Sequence, residues 1–292
     1  MLCTLCPHRC QAQRMEQTGS GFCHMPLLPV VARAAPHFWE EPCISGTKGS
    51  GAVFFSGCTL RCGFCQNQEI SQAGVGRRIS VSQLRHIFQS LLTQGVHNIN
   101  LVTPSHFTHS ILQALDPPLP VPVVWNSNGY ETTETLRLLE GKVQIYLPDL
   151  KYMDNNLALR FSGAPGYAAA AQAAILEMVR QVGPYRLSPD GLLKQGVVIR
   201  HLMLPGQLPD TKRVIDWVAA SFPPHTVLFS LMSQYIPIGR AAELGLDRRV
   251  TRAEARAAAE YLYACGITDG YVQERDAAST VYIPAFDGTG LE

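Results

Sequence analysis

The chain has 292 residues, of which 16% are charged and 46% hydrophobic, and its 24 basic and 23 acidic side chains leave a formal net charge of +1. That balance gives no electrostatic case for a nucleic-acid or membrane partner. The low charged fraction implies that most of the chain is buried in a large core. No apolar run reaches the roughly 18 residues of a membrane span. The opening "MLCTLCPHRC" lacks a continuous apolar stretch, so no signal peptide is expected. Nine cysteines without an export signal point to a reducing, cytoplasmic setting, where cysteines more often bind metals or serve redox roles than form disulfides.

Residues 1–50 show no clear hydrophobic period, hold five cysteines and several turn residues, and read as a small cysteine-rich N-terminal lobe. From 51 to 292 the pattern alternates. Strands are predicted over 51–56, 98–103, 121–126, 143–149, 196–203 and 226–232, with a short seventh at 269–273. Helices are predicted over 81–93, 106–115, 131–140, 166–182, 210–220 and 251–264, the last opened by a Thr251–Glu254 capping box. Near-continuous apolar strands mean burial on both faces, and strands alternating with helices mean a parallel sheet. The fold class is therefore α/β: a partial (βα)6 TIM-like barrel, or else an open doubly wound sheet. In both, chemistry gathers at the carboxyl ends of the strands. Those ends read "SGCTLRCGFC", "TPSHF", "NSNGYE", "PDLKY", "RHLMLPG" and "MSQYIP", polar and ionisable beside strand bodies that carry almost no charge.

The first strand end spaces Cys58, Cys62 and Cys65 as C-x3-C-x2-C. A disulfide needs two thiols, and a closed tetrahedral zinc site needs four ligands. Cys62 and Cys65 can grip one centre from a single turn, while Cys58 comes from a wider loop. That suits an iron–sulfur cluster better than one small ion. A [4Fe–4S] cluster held by three thiolates keeps one iron open to a reactant. A zinc knuckle completed by Cys43 is the alternative.

"GCTLRCGFCQN" resembles the cluster motif of the radical S-adenosylmethionine (SAM) superfamily. Over about residues 51–240 the order of "NSNGY", "DLKYMDNNLALRFSG", "IRHLMLPG" and "LMSQYIP" resembles the pyruvate formate-lyase activating enzymes. The resemblance implies SAM as cosubstrate, a [4Fe–4S] cluster on Cys58, Cys62 and Cys65, and an electron donor such as a flavodoxin or ferredoxin. It also implies hydrogen-atom abstraction, in that family from a backbone glycine of a partner protein. Radical modification of a small molecule or another macromolecule is the alternative, and a non-catalytic metal or electron-carrier protein is a third reading. By the resemblance, the Phe64 backbone meets adenine, Asn126 and Asn128 reach the ribose, and Asp149 and Lys151 form the D-x-K at the fourth strand, with Lys151 on the SAM carboxylate. Arg200 or His201 lies nearby. Where the family carries a "GGE"-like stretch for the SAM amino group, this chain has "VTPSH", so Thr103 or Ser105 is expected to substitute.

Cys3, Cys6, Cys10 and Cys23 form a second group, C-x2-C-x3-C-x12-C, suited to structural zinc or a second iron–sulfur cluster, with His8 and His24 near enough to compete as ligands. His106 and His109 read as surface or cap residues.

Overall fold

The computed structural model describes residues 2–273 and 284–292. In chain order the elements are β1 Val30–His37, α1 Pro42–Ser45, β2 Ser50–Phe55, α2 Gln68–Ser71, β3 Arg77–Arg78, α3 Val81–Thr93, β4 Ile99–Val102, α4 Thr108–Ala114 and β5 Val123–Ser127. Then follow α5 Thr133–Arg137, β6 Ile145–Pro148, α6 Asn155–Ser162, α7 Tyr167–Val182, β7 Arg186–Leu187, β8 Leu193–Leu202, α8 Leu208–Ser221, β9 Leu228–Met232, α9 Arg252–Ala264 and β10 Gly270–Gln273. The sheet runs β10-β9-β8-β6-β5-β4-β2-β1-β3, with β7 hung on β8. From β2 to β10 every neighbouring pair is parallel. The edge strands β10 and β3 do not meet, so this is a partial barrel.

The predicted strands all form, and the capping box at Thr251 is present with both of its hydrogen bonds. Of the six elements that were not predicted (β1, α1, α2, β3, α6 and β7), two bear most on the expectation. Val30–His37, inside the stretch expected to form a cysteine-rich lobe on the front of the barrel, is a strand paired antiparallel along β2. It is short of the apolar alternation that marks a half-buried strand, because it carries alanines and a proline rather than large β-branched residues. Asn155–Ser162 is a helix of its own, capped by the Asp154 carboxylate and ended by Gly163.

Residue parity along the strands separates two surfaces. Val53, Leu101, Trp125, Tyr146, Ile199 and Phe229 face outward into the large core under the helices. Val124, Ile145, Leu147, Val198 and Leu228 face inward, where Cys43 and Ile44 of α1 pack against them. Thus α1 plugs the concave side near the strand starts: Asn98 Nδ2 donates to the Ile44 carbonyl at 2.8 Å, and Ser50 Oγ to Asn98 Oδ1 at 2.6 Å.

At the other end, the tips of β5 and β6 are pressed together. The Tyr167 hydroxyl lies 2.8 Å from both the Asn128 and Asp149 carbonyls. Gly129, at φ +76°, makes this possible, since a Cβ there would lie 2.2 Å from the Asp149 carbonyl oxygen. Gly129→Ala is expected to cost about 3 kcal/mol, against about 1 kcal/mol for Gly95→Ala. Gly95 has φ +79° but nothing within 4 Å of an added Cβ, so it carries the strain without the clash. Urea denaturation checks the pair; equal losses would mean that the strand tips are not in tight contact.

Candidate active site

The three cysteines of the loop after β2 are brought together beneath the strand ends. Each sulfur has a polar partner. Cys58 Sγ accepts from Asn128 Nδ2 and from the Leu60 N–H, both at 3.3 Å. Ser162 Oγ donates to Cys62 Sγ at 3.0 Å, and Ser71 Oγ lies 3.3 Å from Cys65 Sγ. The loop backbone is pinned as well: the N–H groups of Arg61 and Gly63 donate to the Ser162 and Phe161 carbonyls, each at 2.9 Å. Phe64 is buried, edge-on to Tyr235 with ring centroids 5.7 Å apart.

Burial pushes the Cys58 thiol up to about 12, and the neighbouring Cys62 and Cys65 add to this. Burial likewise raises Cys62 to about 11, with the Lys151 ammonium pulling the other way. Thiolates in this loop therefore need a positive centre among them, and hydrogen-bond donors already face the sulfurs, as around iron–sulfur clusters. Three thiol donors with such a surround fit a thiolate-bound cluster. Among the described residues, no three His, Cys, Asp or Glu side chains converge as placed on the point that one metal ion would fill.

Beside Cys62 lies a chain of alternating charge inside the barrel. Lys151 Nζ donates to Asp149 Oδ2 at 2.7 Å. Arg200 donates from Nε to Asp149 Oδ1 at 3.0 Å, from Nη1 to Glu40 Oε2 at 3.0 Å and from Nη2 to Asn126 Oδ1 at 2.7 Å. Asn126 and Asn100 both donate to Glu40 Oε1, at 3.0 and 3.3 Å. Burial alone would raise Asp149, but Arg200 and then Lys151 outweigh it and hold the carboxyl below its ordinary range. Next to Glu40, the buried Glu41 goes the other way, raised by burial against the pull of Arg200. Gln273 Nε2 approaches its Oε1 at 3.4 Å.

The expected site residues thus divide. Asp149, Lys151, Arg200, Asn126 and Asn128 meet in and around this lumen, with Asn128 reaching Cys58 and Thr59. Thr103, directly after β4, sits at φ +57°, a strained setting for a β-branched residue. Ser105 is turned away: its hydroxyl donates at 2.6 Å to Glu131, a buried carboxyl that also takes Trp125 Nε1–H and the Ser127 hydroxyl. His201 is turned away too. Strand alternation sends Arg200 inward and His201 outward, where its Nδ1–H donates to the Leu150 carbonyl at 2.7 Å and its Nε2 accepts from the Thr211 hydroxyl at 3.0 Å. His106 is no surface residue. It is 2% exposed, with its pKa lowered to about 3 by burial, and its Nε2 lies 2.7 Å from the Ser56 carbonyl. Cys43 sits in the α1 plug, apart from the cysteine loop.

Sequence reasoning missed Glu40 and Glu41. They lie in a short segment with no hydrophobic period, and only the packing of α1 shows that they enter the barrel. Asn100 was findable, since it shares the inward parity of Asn126 at the next strand.

The N-terminal cysteine group docks on the loop. His8 Nε2 lies 2.9 Å from the Thr59 carbonyl, and its ring stacks on Phe22 at 3.7 Å. Arg61 donates to the Phe22 carbonyl at 3.0 Å and meets His24. Both histidines are thus occupied by loop contacts. Gly57, at φ +79°, admits Met25: a Cβ there would lie 2.3 Å from Met25 Cγ.

Burial lowers the His201 pKa, so the fold holds it neutral. The unfolded chain binds its proton below about pH 6.5. Stability should therefore fall as pH drops from about 6.5 toward the depressed folded pKa, by up to about 1.4 kcal/mol per pH unit from this group. His201→Gln is expected to flatten that slope in denaturant titrations at several pH values. An unchanged slope would mean that His201 is not held neutral.

No family model matches the chain. The uncharacterized protein MJ0674 of Methanocaldococcus jannaschii is 30% identical over 269 residues, which span 88% of this chain and 73% of that protein. Among solved structures, Streptococcus suis SuiB bound to S-adenosylmethionine superposes with a TM-score of 0.51 at 13% identity, over 75% of this chain and 48% of SuiB. The chain thus spans about half the length of SuiB. A point mutant of spore photoproduct lyase superposes at 0.50 and 11% identity, over 75% of this chain and 74% of the lyase. At these identities the likeness to the solved structures is one of fold. The chain belongs to one family with the uncharacterized protein MJ0674, and it shares the fold of SuiB and of spore photoproduct lyase.

Proposed function

We propose that this protein is a radical SAM enzyme whose cluster is held by Cys58, Cys62 and Cys65. The observation that carries this reading is the buried three-thiol loop at the end of β2, with polar donors on its sulfurs and Lys151 beside Cys62. Cys58, Cys62 and Cys65 would hold a [4Fe–4S] cluster, which would supply the electron for reductive cleavage of SAM to methionine and a 5′-deoxyadenosyl radical.

The chain's own groups bind and orient. Lys151 gives one N–H to Asp149 and keeps others for the methionyl carboxylate of SAM. Arg200 gives three of its five N–H groups, one from each nitrogen, to Asp149, Glu40 and Asn126, so it is read as positioning Asp149. Asn126 also spends its amide on this network, and Asn128 steadies Cys58, which makes both positioning residues as well. For the SAM amino group the strained Thr103 turn remains a candidate acceptor. So does Asn100 Oδ1, a buried acceptor with no partner among the described residues. The deep barrel excludes water from the radical.

In this reading the hydrogen atom comes from a backbone glycine of a partner protein, on the motif order alone. SuiB, which has been seen with its precursor peptide SuiA, is in keeping with a macromolecular substrate. A small-molecule substrate is the alternative, and the product tells them apart: a glycyl radical signal in electron paramagnetic resonance, or a changed small molecule.

The test is anaerobic reconstitution with iron and sulfide, followed by reduction with SAM present. The wild type is expected to release 5′-deoxyadenosine and methionine, and Cys62→Ala only background. Lys151→Met should raise the SAM concentration for half-maximal rate about 10- to 100-fold, the worth of one charge-assisted hydrogen bond. Equal release by wild type and Cys62→Ala overturns the assignment.

A further inference from the structure

Arg14 is only 4% exposed. Its Nε donates to the Met25 carbonyl at 3.0 Å, and its terminal nitrogens donate to the carbonyls of His106 and Pro26. Three carbonyls take three of its five N–H groups, and none of them carries a full charge. Among the described residues, no ion pair includes Arg14. A guanidinium cannot shed its proton, and a buried charge without a counter-charge is very costly. The acidic groups beside it are thiols. Cys3 Sγ lies 3.8 Å from Nη1, and the Arg14 charge also acts on Cys23.

Cys3, Cys6, Cys10 and Cys23 stand on two facing turns. The Arg9 N–H donates to the Cys6 carbonyl at 2.9 Å, while Cys3 pairs with Ala12 and Gln11 at 3.0 and 3.1 Å. The second turn closes around Cys23, where the His24 N–H donates to the Gly21 carbonyl at 2.9 Å. The turns touch: a Cβ at Gly21 would lie 3.0 Å from Cys10 Sγ. Neutral thiols leave Arg14 uncompensated. Four thiolates around zinc form a dianion, and an iron–sulfur cluster with four thiolates is also anionic.

We propose that Cys3, Cys6, Cys10 and Cys23 hold a thiophilic metal centre of net negative charge, with the buried Arg14 as its counter-ion, and that this pair positions the loop carrying Cys58. The path is short. Arg14 holds the His106 carbonyl, and the His106 Nε2–H donates to the Ser56 carbonyl at 2.7 Å, two residues before Cys58. Met25, whose carbonyl Arg14 also holds, packs on Gly57. The positioning role rests on the radical SAM reading; the metal centre and its counter-ion do not.

The test counts metal and sulfide in a chain with Cys58, Cys62 and Cys65 all replaced by alanine. One zinc without sulfide, or iron with matching sulfide, is expected per chain. Adding Cys6→Ser should abolish it, and the two compositions tell the two kinds of centre apart. In the full chain, Arg14→Met is expected to weaken retention of this centre against a chelator about tenfold or more, whereas Arg14→Lys retains most of it. A wild-type count set against Cys6→Ser alone serves as a second measurement that does not depend on the multiple variant folding. No metal difference between chains with and without Cys6, or equal retention by Arg14→Met and wild type, overturns the proposal. A chain that keeps this centre yet releases no 5′-deoxyadenosine sinks the enzymatic reading and leaves this one standing.

Discussion

The Arg200 guanidinium, held between Glu40 and Asp149 inside the barrel, is the interaction on which the rest of the site depends. It joins three pieces of chain far apart in sequence: the segment before α1, the end of β6 and the end of β8. Lys151 continues the chain of charge to Cys62. Two cations and two carboxylates in alternation offset the cost of removing all four from water. Deleting any one strands a neighbour, which in buried pairs costs about 3–5 kcal/mol. The lumen therefore has a fixed electrostatic shape, as a preorganised site requires.

The cysteine loop depends on that lumen and on two other supports. From beneath, Phe161 and Ser162 of α6 fix its backbone and give Cys62 a hydroxyl partner. From outside, the N-terminal cysteine lobe clasps it through His8, Phe22, His24 and Met25. Leu60, Cys62 and Phe64 of the loop pack into the main core. A loop that presents three sulfurs at fixed places takes its rigidity from that packing and from its neighbours. This gives the lobe a mechanical reason to exist beside the barrel, whichever centre its cysteines hold.

Much of this was legible in the sequence. Apolar β-branched runs separated by helical periods specify a parallel sheet, and strand-end chemistry follows from that topology. Reading the strand ends singles out the stretches that hold Asp149, Lys151, Arg200 or His201 and the three loop cysteines, while their expected roles come from the resemblance. His201 illustrates the limit. It adjoins Arg200, and without strand register a reader cannot tell which of the two points inward; one residue of shift exchanges them. Ser105 shows another limit, because its hydroxyl is claimed by Glu131, a buried carboxyl whose need for donors appears only once the layers are packed. Glu40 had no local signal at all.

The sequence by itself determined the alternation of strands and helices, the spacing of the soft ligands and the polar residues at the strand ends. These are local properties, written in period and residue type. Only the tertiary structure decided that Glu40, Glu41, Cys43 and Ile44 enter the barrel, that Arg200 and not His201 faces the lumen, and that a buried Arg14 stands against the N-terminal thiols. Each of these is a matter of charge and burial among residues distant in the chain, and such neighbours exist only after the sheet has curved and the lobe has docked.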